Sequence, residues 1–159
     1  MQVGTKPVDG NISRIIEGLK HKPGALLPIL HGIQDELGYI PPESVPVIAH
    51  ELNLTRAEVH GVISFYHDFR SEKPGAHVVK ICQAESCQAM GSVGLTAYAK
   101  KELGIDFRQT TKDKAFTLEP VYCLGNCALS PAMMVDGHVH GRVTPERFLE
   151  VLEEAREEA

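Results

Sequence analysis

The sequence predicts an α/β protein in two parts: a helical bundle over residues 1–72 and a compact α/β domain over residues 73–159. Three observations lead there. The first half carries apolar residues at helical spacing, and the second alternates short β-rich runs with helical stretches. Between them, Ser71-Glu72-Lys73-Pro74-Gly75 is a turn-forming break.

In the first half, Ile12, Ile15, Ile16 and Leu19 recur at helical spacing until Lys22-Pro23-Gly24 stops the pattern. Leu26, Leu30, Ile33 and Leu37 form a second stripe, closed by Gly38. After Pro41-Pro42, a third stripe of Val45, Ile48 and Leu52 precedes Asn53. Thr55-Arg56-Ala57-Glu58 then reads as a capping box opening a fourth helix, because a hydroxyl and a carboxylate three residues apart can each satisfy a free backbone N–H.

In the second half, residues 76–81 are β-rich and run straight into Cys82. Residues 92–103 favour helix, with Leu95, Tyr98, Ala99 and Leu103 available for one face and Gly104 as the stop. Residues 116–122 form the next strand, which delivers Cys123. Asp136-Gly137 between residues 133–135 and 138–142 is a hairpin signal. Thr144-Pro145 then opens a last helix that buries Phe148, Val151, Leu152 and Ala155. This order, strand, helix, strand, strand, helix, suits a thioredoxin-like α/β domain.

All four cysteines fall in two tight pairs: four residues separate Cys82 from Cys87, three separate Cys123 from Cys127, and 35 lie between the pairs. Residues 1–10 are polar, with Pro7 and Asp9 where a secretory signal would have an apolar core, so a cytosolic location with reduced thiols is expected. That disfavours disulfides, and thioredoxin-type exchange would need an absent CxxC. Four thiolates can instead close the shell of one tetrahedral zinc or of a 2Fe-2S cluster, two on each iron. The spacings are unusual for zinc knuckles. Plant-type ferredoxins also begin with CxxxxC, but their third cysteine follows two residues later, where this chain has Gln88, Ala89 and Met90.

In a parallel βαβ unit both strands end on one edge, which brings Cys82 and Cys123 close and lets each loop add Cys87 and Cys127. A cluster of about −2 to −3 charge needs donors around it. Gly91, near a helix N-terminus, and Gly125 and Asn126, tolerant of left-handed angles, are the candidates to supply N–H groups.

The composition, 43% hydrophobic and 23% charged, is that of a globular protein. A net charge of −5 with scattered basic residues argues against nucleic acid. No apolar run approaches the ~20 residues of a membrane span. Neither GxGxxG after a strand nor GxxxxGK[ST] occurs, so no nucleotide site is visible. His138 and His140 could ligate a Rieske-like centre, but beside four cysteines they read as a surface strand. His67 reads as a packing or hydrogen-bonding residue at the domain junction, and Phe65, Tyr66 and Phe69 as inter-domain core or a partner surface. Met133 and Met134 read as gap-fillers, and the acidic stretch 150–158 as a solvated helix end that frays against the dipole.

The segments CQAESCQAMG (82–91) and VYCLGNCALSPAMMVDG (121–137) resemble the two cluster loops of the thioredoxin-like 2Fe-2S ferredoxins. ALLPILHGIQDELGYIPPESV (25–45) and AEVHGVISFYHDFR (57–70) resemble that family's helical N-terminal domain, so the likeness spans residues 24–152. It implies one 2Fe-2S cluster held by Cys82, Cys87, Cys123 and Cys127, no catalytic residue on this chain, and single-electron exchange with the FMN of a flavin- and NAD-binding iron-sulfur partner subunit. By analogy with plant-type ferredoxins the potential is on the order of −400 mV. Within the family the wording is most similar to the gamma subunit of cytoplasmic, molybdenum-containing NAD-dependent formate dehydrogenase, which implies a larger molybdenum-containing catalytic subunit. Equivalent subunits serve complex I and NAD-linked hydrogenases. Ser130-Pro131 departs from the Ala-Pro common in complex I members, a change between small residues that the loop should tolerate.

Overall fold

A computed structural model of the chain describes residues 10–157. It divides into two compact units, Met1–Lys73 and Pro74–Ala159.

The first unit contains helices α1 (Gly10–Leu19), α2 (Leu26–Leu37), α3 (Ser44–Glu51) and α4 (Arg56–Phe65). Ile12 and Ile16 of α1, Ile29, Leu30 and Ile33 of α2, Ile48 of α3 and Val59 of α4 are buried together with Ile40 and Phe69. Gly38 ends α2 in the left-handed region at φ 82°, where only glycine is unstrained. The capping box is formed: Thr55 Oγ1 accepts from the Glu58 N–H at 3.2 Å, and Glu58 Oε2 accepts from the Thr55 N–H at 2.7 Å. Phe69 is buried, while Phe65 is 73% exposed. His67 is exposed, with Nδ1 3.0 Å from the Phe65 carbonyl.

The second unit is a five-stranded sheet with helices against its apolar face. Strands β1 (His77–Cys82), β2 (Gln109–Thr110), β3 (Phe116–Val121), β4 (Met133–Val135) and β5 (His138–His140) lie in the order β2-β3-β1-β4-β5. β1 and β3 are parallel; the other neighbours are antiparallel. Alternate residues Val79 and Ile81, Phe116 and Leu118, and Met133 and Val135 point to one face. They form a core with Leu95 and Ala99 of α6 (Ser92–Leu103) and with Phe148, Val151, Leu152 and Ala155 of α7 (Pro145–Glu157). Gly104 ends α6 at φ 65°. Between β1 and α6 lies the short helix α5 (Glu85–Ala89), and past β3 a 3-10 turn spans Cys127–Leu129. Neither these nor β2 is marked by a run long enough to be read from sequence.

Two expectations are corrected here. The strand expected over residues 138–142 ends at His140, because Gly141 passes tightly against the 126–129 turn and Arg142 has φ 51°. The acidic end of α7 stays helical to Glu157, with Arg147 bridging Glu150 at 3.0 Å and Glu154 at 2.9 Å; residue 158 lies outside the described residues. Among the described residues no helix is long and apolar enough to cross a membrane.

Candidate metal centre

Sheet order explains how the cysteine loops meet. β1 is the middle strand: its last residue, Cys82, pairs with Val121 at the end of β3, and Ile81 pairs with Met133 at the start of β4. Since β3 and β4 flank β1 on opposite sides, the segment joining them crosses over the C-terminal end of β1. That segment carries Cys123 and Cys127, so it passes over Cys82 and over α5, which holds Cys87.

The four thiols form two unlike pairs. Cys82 and Cys87 are each 2% exposed, packed with Ala132 and flanked by Ala84, Val121 and Leu124. Cys123 and Cys127 are exposed, with their Sγ atoms 3.7 Å apart. Two thiolates on one tetrahedral metal at about 2.3 Å would stand about 3.8 Å apart, so this pair is spaced to share a metal. Among the described residues no three His, Cys, Asp or Glu side chains gather closely enough to hold one ion together. The four thiols stand as two adjacent pairs, with Cys82 in contact with Cys87 and both within electrostatic reach of Cys127. Two adjacent pairs can supply the two sulfur ligands that each iron of a 2Fe-2S cluster takes.

Backbone donors point at the sulfurs. The N–H groups of Ala84 and Cys123 reach Cys82, that of Ala132 reaches Cys87, and that of Gly125 reaches Cys123 Sγ at 3.3 Å. Burial pushes the Cys82 thiol up, and neighbouring Cys87 adds to this against the two N–H groups. Burial also acts upward on Cys87, but hydrogen bonds from Ser130, Cys82 and the Ala132 N–H hold it below the usual thiol range. Cys127 is raised by its partner Cys123. Such N–H groups stabilise negative sulfur, which a thiolate-bound cluster requires.

The expected donors are only partly the observed ones. Gly125 has φ +74° and turns its N–H onto sulfur, as its tolerance of left-handed angles suggested. Asn126 stays at φ −100°; it is Cys123 itself that takes the positive angle, φ 103°. The Gly91 N–H is used on the Gln88 carbonyl at 3.1 Å, inside the turn that ends α5. Sequence reading missed Ala132, whose carbonyl also takes the Cys82 N–H at 3.0 Å, and the hydroxyls of Ser86 and Ser130. The Ser-Pro wording marked the position but not its contact: Ser130 Oγ stands 3.4 Å from Cys87 Sγ. His138 lies exposed on β5 and His140 half-buried, its basicity lowered by burial and then by Arg147.

Residues 12–156 match the family model for thioredoxin-like [2Fe-2S] ferredoxins. The chain belongs to that family. The cofactor of the family is a [2Fe-2S] cluster. Among relatives of this ferredoxin, a subunit of the NADH-quinone oxidoreductase of Pseudomonas aeruginosa is 36% identical over 129 residues, 81% of this chain and 78% of that one. The HndA subunit of the NADP-reducing hydrogenase of Solidesulfovibrio fructosivorans is 33% identical over 149 residues, 94% of this chain and 87% of that one. A chain of an NAD+-reducing [NiFe]-hydrogenase in its H2-reduced state superposes with a TM-score of 0.70 at 20% identity, over 84% of this chain and 22% of that one. The last shares the fold, and this ferredoxin spans about a fifth of its length.

Proposed function

We propose that this chain is the electron-transfer subunit of an NAD-linked oxidoreductase, with Cys82 and Cys87 ligating one iron of its cluster and Cys123 and Cys127 the other. The cluster supplies one-electron redox chemistry, which pairs with the FMN of a partner subunit that also binds NAD, since a flavin can divide a hydride's two electrons. The observation that carries the reading is the crossing of two thiolate pairs over the end of β1, one pair buried and one open to the surface, with N–H donors aimed at the sulfurs. The buried pair shields its side from water, and Cys123 and Cys127 leave the other side open for electron exchange. Tyr122, 75% exposed beside Cys123, and Leu129 offer apolar contact at that opening.

The finer assignment, a gamma subunit of cytoplasmic NAD-dependent formate dehydrogenase beside a larger molybdenum-containing subunit, rests on the loop wording CQAESCQAMG. A second reading, the equivalent subunit of an NADH-quinone oxidoreductase or of an NAD-linked hydrogenase, is favoured by what the Pseudomonas and Solidesulfovibrio relatives are. Subunits co-purifying with the chain decide: a molybdenum-pterin chain, membrane subunits or a nickel-iron chain, respectively. Anaerobically purified chain is expected to be coloured, to contain iron and inorganic sulfide, and to give an EPR signal after dithionite. A colourless protein carrying stoichiometric zinc overturns the proposal in favour of a zinc-stabilised binding module. Alone, the chain is expected neither to oxidise formate nor to reduce NAD.

A further inference from the structure

Two hydroxyls stand between the cysteine loops. Ser86, on α5, lies 2.9 Å from Ser130 Oγ and 3.2 Å from the Cys127 carbonyl oxygen. Ser130, buried, lies 2.8 Å from the same carbonyl and 3.4 Å from Cys87 Sγ. All these contacts except that between Ser130 and the Cys127 carbonyl join one cysteine loop to the other.

The proton count assigns directions. As a thiol, Cys87 can donate to Ser130 Oγ, which leaves the Ser130 hydroxyl free to donate to the Cys127 carbonyl at the shorter distance. As a thiolate ligand, Cys87 Sγ can only accept. Two acceptors, Cys87 Sγ and the Cys127 carbonyl, then face two protons, those of Ser86 and Ser130. Of the two hydroxyls only that of Ser130 stands against the sulfur, which leaves the Ser86 hydroxyl to serve the carbonyl at 3.2 Å. A donor to a ligand sulfur stabilises the more negative, reduced state and raises the potential.

We propose that Ser130 is a positioning residue for electron transfer, donating its hydroxyl to Cys87 Sγ in the cluster-loaded protein, and that Ser86 frees it to do so by taking the Cys127 carbonyl. This rests on the reading of Cys87 as a cluster ligand. It makes Ser86, which touches no sulfur, a determinant of the potential.

The test is an EPR-monitored redox titration of the anaerobically purified, cluster-loaded chain and its variants. Ser130→Ala is expected to reduce about tenfold less favourably, a midpoint ~60 mV lower at ~59 mV per tenfold for one electron. Ser86→Ala leaves one proton contested between two acceptors and is expected to shift about threefold, ~30 mV lower. The double variant should fall no further than Ser130→Ala, since both act on one bond. Ser130→Thr, which keeps the hydroxyl, should stay within about 1.5-fold, ~10 mV, of the unsubstituted chain. A Ser130→Ala midpoint within that ~10 mV, an unmoved Ser86→Ala, or additive shifts in the double variant overturns the inference. Should Ser130→Ala fail to assemble a cluster, Ser86→Ala decides alone, because it leaves both Cys87 and Ser130 unsubstituted. Cys87→Ala separates this inference from the reading beneath it: full iron and sulfide in that variant removes Cys87 as a ligand. Cluster loss there, with potentials unmoved by the serine changes, overturns only the hydroxyl's role.

Discussion

Gly141→Ala should loosen the surface half of the metal centre from outside the cysteine motifs. A Cβ at Gly141 would stand 2.6 Å from Leu129 Cβ, 2.7 Å from Asn126 Nδ2 and 2.9 Å from the Leu129 carbonyl oxygen. Carbon atoms in good contact sit about 3.5–4.0 Å apart, so the turn and the strand end must separate by about 1 Å. The Asn126 amide can swing away, but Leu129 Cβ and the carbonyl belong to the turn itself. Separation is opposed by the Arg142 N–H on the Leu129 carbonyl at 2.6 Å and the Val143 N–H on the Pro131 carbonyl at 2.9 Å. Overpacking costs about 1–3 kcal/mol, and a lost backbone hydrogen bond adds about 1 kcal/mol. The sum, about 2–4 kcal/mol, lies in the turn that begins at Cys127. At its lower end this is about a 30-fold shift toward an opened loop, at about 1.4 kcal/mol per tenfold. Two assays read it: the rate at which a chelator bleaches the visible absorbance of the loaded protein, and urea unfolding of the metal-free chain. Leu129→Ala should not rescue the variant, because it keeps both the Cβ and the carbonyl. An unfolding free energy within about 0.5 kcal/mol of the unsubstituted chain, with an unchanged bleaching rate, would refute this account of the turn.

Other consequences follow from particular contacts. Cys82→Ser and Cys127→Ser should yield a labile or lost cluster, since a serine oxygen is a harder and far less acidic ligand than a thiolate; stoichiometric iron and sulfide in both would contradict the four-thiolate assignment. In the metal-free chain, iodoacetamide should modify exposed Cys123 and Cys127 before Cys82 and Cys87, each 2% exposed, as peptide mass spectrometry would show. Thr55→Ala should destabilise the helical unit by about 1 kcal/mol, read from its denaturation by circular dichroism. The Glu58 carboxyl, held below the usual carboxylate range by the Thr55 N–H and then the Thr55 hydroxyl, stabilises the folded state above its unfolded value of about 4.3. That contribution is lost as pH falls through the lower folded value, so the stability difference between the unsubstituted chain and Glu58→Gln should shrink on acidification, and a constant difference would exclude it.

Much of the fold was legible because its elements announce themselves locally. Gly38 and Gly104 end helices at positive φ, Thr55 and Glu58 close a capping box, and Asp136-Gly137 turns a hairpin. Of the site, the four sulfurs, their meeting at the ends of two parallel strands and the Gly125 donor were legible. What shapes it, the positive φ of Cys123, the Ala132 N–H on Cys87 and the close passage of Gly141, depends on which backbone passes beside which. No spacing along the chain encodes that. Ser130 illustrates the difference: by size it is interchangeable with alanine, while by position its hydroxyl touches Cys87 of the other loop.

The decisive non-local fact is the edge of β1 on which β4 docks. A βαβ unit brings two strand ends together, yet a hairpin added beside β3 in the place of β2 would have turned the second cysteine loop away from Cys82. Asp136 opposes that outcome. Its carboxylate accepts the Val78 N–H at 2.8 Å and stands 2.7 Å from His77 Nδ1, while its own N–H reaches the Val78 carbonyl at 3.2 Å. The residue that favours the tight turn between β4 and β5 thus also clamps that turn to the first residues of β1. With the hairpin held at the N-terminal end of β1, the antiparallel β4 must begin at the opposite end, beside Ile81. The segment from β3 to β4 then has to span the C-terminal end of β1. The sulfurs meet at one end of the middle strand because an aspartate fixes the other.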